Sequence, residues 1–285
     1  LTTRPRARIA YDIVTNNIRD HTGIEPNLGK TECWCSGGGP APLGIAELGV
    51  PDQAPVWKGD LQEEYRGVEV LGSPLGTTAY AQKYANDRIE QEMKLLDKIN
   101  TIGHLQEEWL LLYFCGSPRA NHTLRTTPPA LATLYATAHD NAVLTTFGKI
   151  LGVSTTELDS ATKQQLQLPM RLGGSGLRNS SRVAPCAYYS SWADVLPVLT
   201  ARFPGYDDWF IRQMTDTEAN AEGTTAENAL GALHLAAQAL RAENVRTPDW
   251  RALCNGAQPP PPTEEDAPDP GEWRHGWQFY TSNCR

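Results

Sequence analysis

The sequence predicts an α+β chain that is mostly helical. Two observations carry this: short stretches of alternating apolar and polar residues lie among glycines and prolines up to residue 76, and the periodicity becomes helical from Thr77 onward. A third sets its class, because 285 residues with 40% apolar and 20% charged side chains match a packed globular protein. No run reaches the ~18 to 20 apolar residues needed to cross a bilayer, the longest tight cluster being Trp109-Leu110-Leu111-Leu112-Tyr113-Phe114. No membrane partner is therefore expected.

The elements follow in order. A first helix is predicted from Pro5, where proline suits an opening turn, to about Asp20, with Ile9, Ile13 and Val14 on one side and Gly23 ending it. A short strand is predicted at Thr31–Cys35, then a long loop rich in glycine and proline from Ser36 to about Gly59, the mark of an insertion. Tyr65 to Gly72 alternates and reads as a second strand, stopped by Ser73-Pro74-Leu75-Gly76. From Thr77, Tyr80, Tyr84, Ile89, Met93, Leu96 and Ile99 form an apolar stripe, and after a break at Gly103 a very apolar helix covers His104 to Phe114. Further helices are predicted at Pro129–Ile150, Thr155–Leu168, Ser180–Leu199, Tyr206–Met214 and Thr225–Ala242, with Ser154 to Glu157 as a capping box. Pro259 to Pro262 and the acidic residues after it read as a stiff polar linker, followed by an aromatic patch of Trp273, Trp277, Phe279 and Tyr280. The resulting organisation is residues 1–76, 77–200, 201–258 and 259–285.

The net charge of −8 taken alone disfavours a nucleic-acid partner. Its distribution removes that objection. Residues 1–76 carry 7 basic and 10 acidic side chains, residues 77–200 carry 11 and 10, and residues 201–285 carry 7 and 13. The acidity thus sits at the end, beside a near-neutral centre. Six scattered cysteines, of which only Cys33 and Cys35 are close, lack zinc-knuckle spacing and read as reduced thiols. Nothing after Leu1-Thr2-Thr3-Arg4 resembles the apolar core of a secretory signal, so an intracellular location, the nucleus included, is expected. The missing initiator Met predicts a chain cut from a larger one.

Several motifs fail on context. Gly29-Lys30-Thr31 matches the end of a phosphate loop, but the required glycine is Ile24 and a helix precedes it in place of a strand. Gly173-Gly174-Ser175-Gly176 does not fit the dinucleotide fingerprint and reads as a flexible turn between helices. Tyr206-Asp207-Asp208 lacks the apolar strands of a two-metal hairpin and reads as a helix start, its acids complementing the helix dipole. The six histidines form no nucleophile–base set.

One ordered series is more specific than any of these. Gly23, Asn27, Lys30 and Thr31 follow the first helix; an apolar strand ends in Leu71-Gly72-Ser73-Pro74-Leu75-Gly76; a long helical region comes next. Later come Cys115-Gly116-Ser117-Pro118-Arg119-Ala120-Asn121-His122-Thr123-Leu124-Arg125, then Leu168 to Leu177, then Ala187-Tyr188-Tyr189-Ser190-Ser191-Trp192-Ala193. Over about residues 5 to 200 this order resembles the back half of a non-LTR-retrotransposon-type reverse transcriptase. The resemblance implies that residues 1–76 are the end of a palm with a glycine- and proline-rich insertion. Residues 77–200 would be a helical thumb and connector, and residues 201–258 an acidic helical extension. In the intact RNA-directed DNA polymerase, two Mg2+ ions would stabilise attack of the primer 3′ hydroxyl on the incoming nucleotide. The metal-binding aspartates belong before this helix, and no Tyr-x-Asp-Asp hairpin occurs here. This chain alone is therefore expected to be inactive and to bind no metal.

The residue roles implied are supporting ones. Lys30 would place a cation near the leaving pyrophosphate. Leu71 and Gly72 would form the turn that presses on the primer backbone. Lys83, Lys94, Arg119, Asn121 and Arg125 would contact phosphates of an RNA template and DNA primer, although each arginine can equally be a solvated helix face. The alternative is a non-enzymatic helical interaction or nucleic-acid-binding protein.

Overall fold

The structure is a computed structural model that describes residues 3–220, 226, 228–260 and 276–283. It is mostly helical, with one two-stranded sheet. The chain divides into two compact units, Leu1–Tyr84 and Ala85–Arg285. No helix among the described residues is long and apolar enough to cross a membrane.

In the first unit a 3-10 turn, Arg4–Arg6, leads into α1 (Ala7–Thr22), which ends at Gly23 in the left-handed conformation that frees its amide to bond the Arg19 carbonyl. The helix buries no residue of its own. The core lies instead in the long loop, where Ile45, Leu48, Val56 and Trp57 are buried with Ala7, Tyr11, Cys33, Cys35 and Ala41 against them. The Trp57 indole donates to the Gly39 carbonyl at 2.8 Å, and Gly59 lies so close beneath the ring that a Cβ there would meet it at 2.3 Å. The predicted insertion is thus the packing centre of its unit. The strand expected at Thr31–Cys35 is reduced to one bridge, Cys33 with Trp57, because Pro55 can donate no ladder bond and the glycines at 37 to 39 turn the chain away.

The second predicted strand is β1 (Gly67–Val70), and it pairs antiparallel with β2 (Ser73–Gly76) in the register Gly67 with Gly76 and Val70 with Ser73. Ser73 to Gly76 is therefore the return strand and not a stop. The reason is the two-residue loop between them: Leu71 and Gly72 both have positive φ, 52° and 78°, the geometry of a type I′ turn whose twist suits a hairpin.

α2 (Thr78–Ile99) opens in the first unit and continues into the second. There follow α3 (Leu105–Leu111), a π turn at Leu112–Gly116, a 3-10 turn at Ser117–Ala120, α4 (Asn121–Thr126) and α5 (Pro129–Leu151). The helix predicted over His104–Phe114 widens at its end because Gly116 packs tightly against Leu112 and Leu96, and Pro118 cannot donate the next rung. α6 (Ser160–Gln167) starts later than predicted. The Ser154 hydroxyl accepts from the Thr156 amide in a local turn, while Asp159 caps the helix by accepting from the Thr162 amide at 2.7 Å.

The Gly173–Gly176 turn joins α6 to α7 (Ser180–Arg202), yet it is tied rather than flexible. The Gly176 amide donates to the Leu168 carbonyl at 2.9 Å, and a Cβ on Gly174 would sit 2.1 Å from that same oxygen. The start of α7 is capped twice: Asn179 accepts from the Arg182 amide, and Asp140 on α5 accepts from the amides of Ser180 and Ser181 at 2.7 and 3.0 Å.

α8 (Tyr206–Ala219) begins with Asp207 and Asp208 in its first turn, as the sequence predicts. α9 (Ala229–Ala242), α10 (Trp250–Cys254) and α11 (Trp277–Asn283) complete the described chain. The start of the helix predicted at Thr225, Pro261 onward in the linker, and Trp273 lie outside the described residues. Trp277 does not dangle: it is buried with Tyr189, Phe210, Met214, Leu233 and Leu240 in the largest apolar cluster. Each such fully buried side chain contributes about 1.5–3 kcal/mol relative to exposure. Cys33, Cys35, Cys115, Cys186 and Cys254 are free thiols.

Candidate nucleic-acid interface

The best-defined surface feature of the first unit is the β1–β2 hairpin, held at both ends by tyrosines one turn apart on α2. At its open end the ring of Tyr80 lies over the paired glycines. A Cβ on Gly67 would meet that ring at 2.3 Å, and one on Gly76 at 2.6 Å. Only glycine at both positions allows the contact. At the tip, the Tyr84 hydroxyl donates to the Gly72 carbonyl at 2.8 Å. Between these anchors the Lys83 ammonium lies 5.6 Å from the centre of the Tyr65 ring.

The result is a fixed hairpin whose tip is Leu71, 93% exposed. A leucine in left-handed conformation costs about 1 kcal/mol that asparagine or glycine would avoid. A strained, fully exposed apolar residue on a rigid support is one that contributes nothing to the core.

Beside the hairpin base lies a cleft of about 560 Å³, lined by Glu32, Pro55, Lys58, Tyr65, Gly67 and Tyr80 among others. Lys58 pairs with Glu32 at 3.3 Å. Burial, with the charges of Glu32 and Glu69 adding to it, pushes the Tyr80 hydroxyl up to about 12, so it stays a neutral donor.

The residues that the sequence singled out fall into three settings. Lys30 ends a 3-10 turn, Leu28–Lys30, and is exposed, with no side-chain partner among the described residues. Leu71 and Gly72 form the hairpin tip, and Lys83 lies over the Tyr65 ring just before the hairpin begins. Lys94, Arg119, Asn121 and Arg125 lie in the second unit, where Lys94 is exposed on α2. The Arg125 guanidinium donates to Asp194 at 2.8 Å and to Gln278 of α11 at 2.9 Å, and Asn121 accepts from the Gln278 amide. These two side chains fasten the last helix. Arg119 stays 43% exposed, its Nε 3.9 Å from Glu92.

Sequence reasoning missed Glu92 itself. This carboxylate, 1% exposed, accepts from the Tyr135 hydroxyl at 2.8 Å and from His139 Nδ1 at 2.9 Å, with Arg88 at 3.4 Å. The other ring nitrogen of His139 faces the Ser117 carbonyl at 3.2 Å, so both nitrogens meet oxygen atoms. Desolvation pushes the Glu92 carboxyl up, but His139, the Tyr135 hydroxyl and Arg88 outweigh it and hold the group below its ordinary value. Tyr135 is pushed up by the same burial and by the carboxylate. The signal available in sequence was Glu92 and Arg88 one turn apart, with Tyr135 and His139 likewise one turn apart.

No group of three or more His, Cys, Asp and Glu side chains among the described residues converges to hold a metal ion. No family model, curated protein or solved structure matches the chain.

Proposed function

We propose that the chain is the palm-end and thumb region of a retroelement reverse transcriptase, an RNA-directed DNA polymerase, and that it supports the template-primer without performing the chemistry. The observation that carries this reading is the hairpin: Leu71 at an exposed left-handed tip, braced by Tyr80 and Tyr84 at the head of α2. It falls where the ordered sequence motifs call for a turn against the primer backbone. Leu71 offers an apolar wedge that no phosphate repels, and Gly72 brings the chain close. Lys83 and Lys30 add positive charge in the same unit, Lys30 with an exposed ammonium that has no side-chain partner among the described residues and suits phosphate oxygens. The residues present do not fit a two-Mg2+ centre, since no carboxylate set converges among those described, and the carboxylates of the intact enzyme are assigned to another part of the parent protein.

The test is fluorescence anisotropy of the full chain with a labelled RNA–DNA hybrid bearing a recessed primer end. Binding at ~50 mM salt that weakens steeply as salt rises supports the reading. Absence of detectable binding at that salt sinks it. A second reading, a non-enzymatic helical interaction protein, is favoured by α1, whose Ile9, Ile13, Val14 and Ile18 are all exposed. It gains if the hybrid does not bind.

A further inference from the structure

A second surface lies entirely in the second unit, where the segment from Trp109 to Arg119 meets the loop from Leu168 to Arg178. The sequence motifs in these stretches are 60 residues apart, and the fold makes them one face. The ring of Tyr113 presses on Gly176, whose positive φ of 69° and missing Cβ allow it; an added Cβ would sit 2.6 Å from the ring. The Arg178 amide donates to the Ser117 hydroxyl at 2.8 Å, which places Arg178 beside the turn that carries Arg119.

The two stretches of chain that meet here carry charge of one sign. From Trp109 to His139 and from Ser160 to Ala193 there is no Asp or Glu, whereas Arg119, Arg125, Lys163, Arg171, Arg178 and Arg182 all fall within these two stretches. In a chain of net charge −8 this is a local reversal. Some of it is neutralised in place, as Asp194 takes up Arg125 and Glu92 lies near Arg119. Arg178 is exposed and has no side-chain partner among the described residues.

The same face is aromatic. Trp109 and Tyr113 stack with centroids 5.6 Å apart, and Phe114 meets Tyr113 edge-on at 4.8 Å. Phe114 is 67% exposed, in the π turn where the backbone widens, and Met170 and Leu172 are exposed on the loop opposite. A large ring left in water at the edge of a stacked pair, on a segment that carries Arg119 and is joined to the one that carries Arg178, with no acid in either, matches a ligand that is itself planar and polyanionic. Single-stranded nucleic acid presents that combination, an unpaired base face flanked by phosphates. Duplex hides its base faces and would use only the charge.

We propose that this face binds single-stranded RNA or DNA, with a base stacked on Phe114 and flanking phosphates met by Arg119 and Arg178. The assignment does not rest on the hairpin's duplex contact and survives its failure. It is tested on the full chain by anisotropy with labelled unstructured oligonucleotides of about 20 residues, one of uridines and one of thymidines.

Both strands are expected to bind, with preference for uridines if the ribose hydroxyls are contacted and near-equal affinity if they are not. Phe114→Ala should weaken binding about tenfold with its salt slope unchanged, while Phe114→Trp retains it. Arg178→Gln should weaken binding and lower the salt slope by about one. Both side chains are exposed, so the folded state, followed by circular dichroism, should not change. The proposal is overturned if the unmodified chain binds neither oligonucleotide, or if both Phe114→Ala and Arg178→Gln leave affinity intact. It is also overturned if Phe114→Ala abolishes self-association of the chain and leaves oligonucleotide binding untouched, which would make this face a contact between copies. An unchanged hybrid affinity in these variants, beside its loss in the hairpin variant below, separates the two surfaces.

Discussion

In the second unit Tyr189, Phe210, Met214, Leu233 and Leu240 are wholly buried and pack as one mass, whereas in the first unit α1 adds only the partly buried Ala7 and Tyr11 to a core formed by four residues of an irregular loop. The second unit is thus stabilised by volume filled, and its energy is spread over many contacts. The first depends on where its backbone passes: Trp57 over Gly59, Tyr80 over Gly67 and Gly76, and a leucine in left-handed conformation at the hairpin tip. A small unit with little apolar mass can still hold one surface rigid, provided that glycine stands at each close approach.

Substitutions should separate these two modes, beginning with the largest effects. Phe210→Ala removes a fully buried ring from the second unit and should cost about 3–5 kcal/mol, measured by urea unfolding. Glu92→Ala should cost a similar amount, about 3–5 kcal/mol, because it strands His139 and Tyr135 without their acceptor. Gly67→Ala in the first unit adds only a methyl, yet Tyr80 must move, and about 1–3 kcal/mol should be lost. If the comparison between units holds, amide exchange will report that loss in residues 65–84 and leave the amides of α9 unaffected. Exchange rising uniformly through both units would remove the distinction.

In the second unit Glu92 provides a response to acid pH. Because the folded-state value of the Glu92 carboxyl lies below its ordinary 4.5, its contribution is complete above that value and is lost as pH falls through the lowered one. Unfolding free energy should therefore decline below about pH 4.5, and the Glu92→Gln chain should show a shallower decline. Parallel curves for the two proteins would show that the cluster does not contribute.

The smallest expected effect on stability is the most informative about function. Leu71→Asn relieves the left-handed strain and should raise stability by about 0.5–1 kcal/mol, since asparagine accepts that conformation. If Leu71 presses on a primer backbone, the same change should reduce hybrid affinity several-fold. A chain that becomes more stable and binds the hybrid equally well would mark Leu71 as a turn residue only.

Helical periodicity made most of the second unit legible. The apolar stripe of α2 and the long breaker-bounded apolar runs of α5 and α7 place each helix within a few residues, and the acids opening α8 mark its start because their dipole effect is local. The errors lie where backbone conformation overrode composition. Ser73 to Gly76 contains the proline and glycine that usually end a strand, and a leucine gives no sign of the positive φ at Leu71, so β2 reads in sequence as a stop. That the loop from Ser36 to Gly59 holds the core of its unit is not legible either, because its apolar residues have no period and pack through turns.

At the candidate interface, the turn at Leu71 and Gly72 is expected from the ordered motifs and the family they resemble, while its partner strand is not. The Tyr80 stacking on two glycines is not expected either, since it joins positions brought together only by strand register. Glu92 is not legible because Tyr135 and His139, which hold it, are more than 40 residues away. Arg125 and Asn121 looked like surface groups because Gln278, which holds both, lies more than 150 residues downstream.

The cap that Asp140 provides to α7 couples events that are separate in most helices. An ordinary cap is local, so a helix can form its first turn alone. Here two of the first free amides of α7 are satisfied from 40 residues upstream, and only when α5 is already beside it. The start of α7 therefore cannot fray on its own without also releasing a buried carboxylate. The amides of Ser180 and Ser181, though at a helix end where protons usually exchange first, should be among the slowest in the chain to exchange.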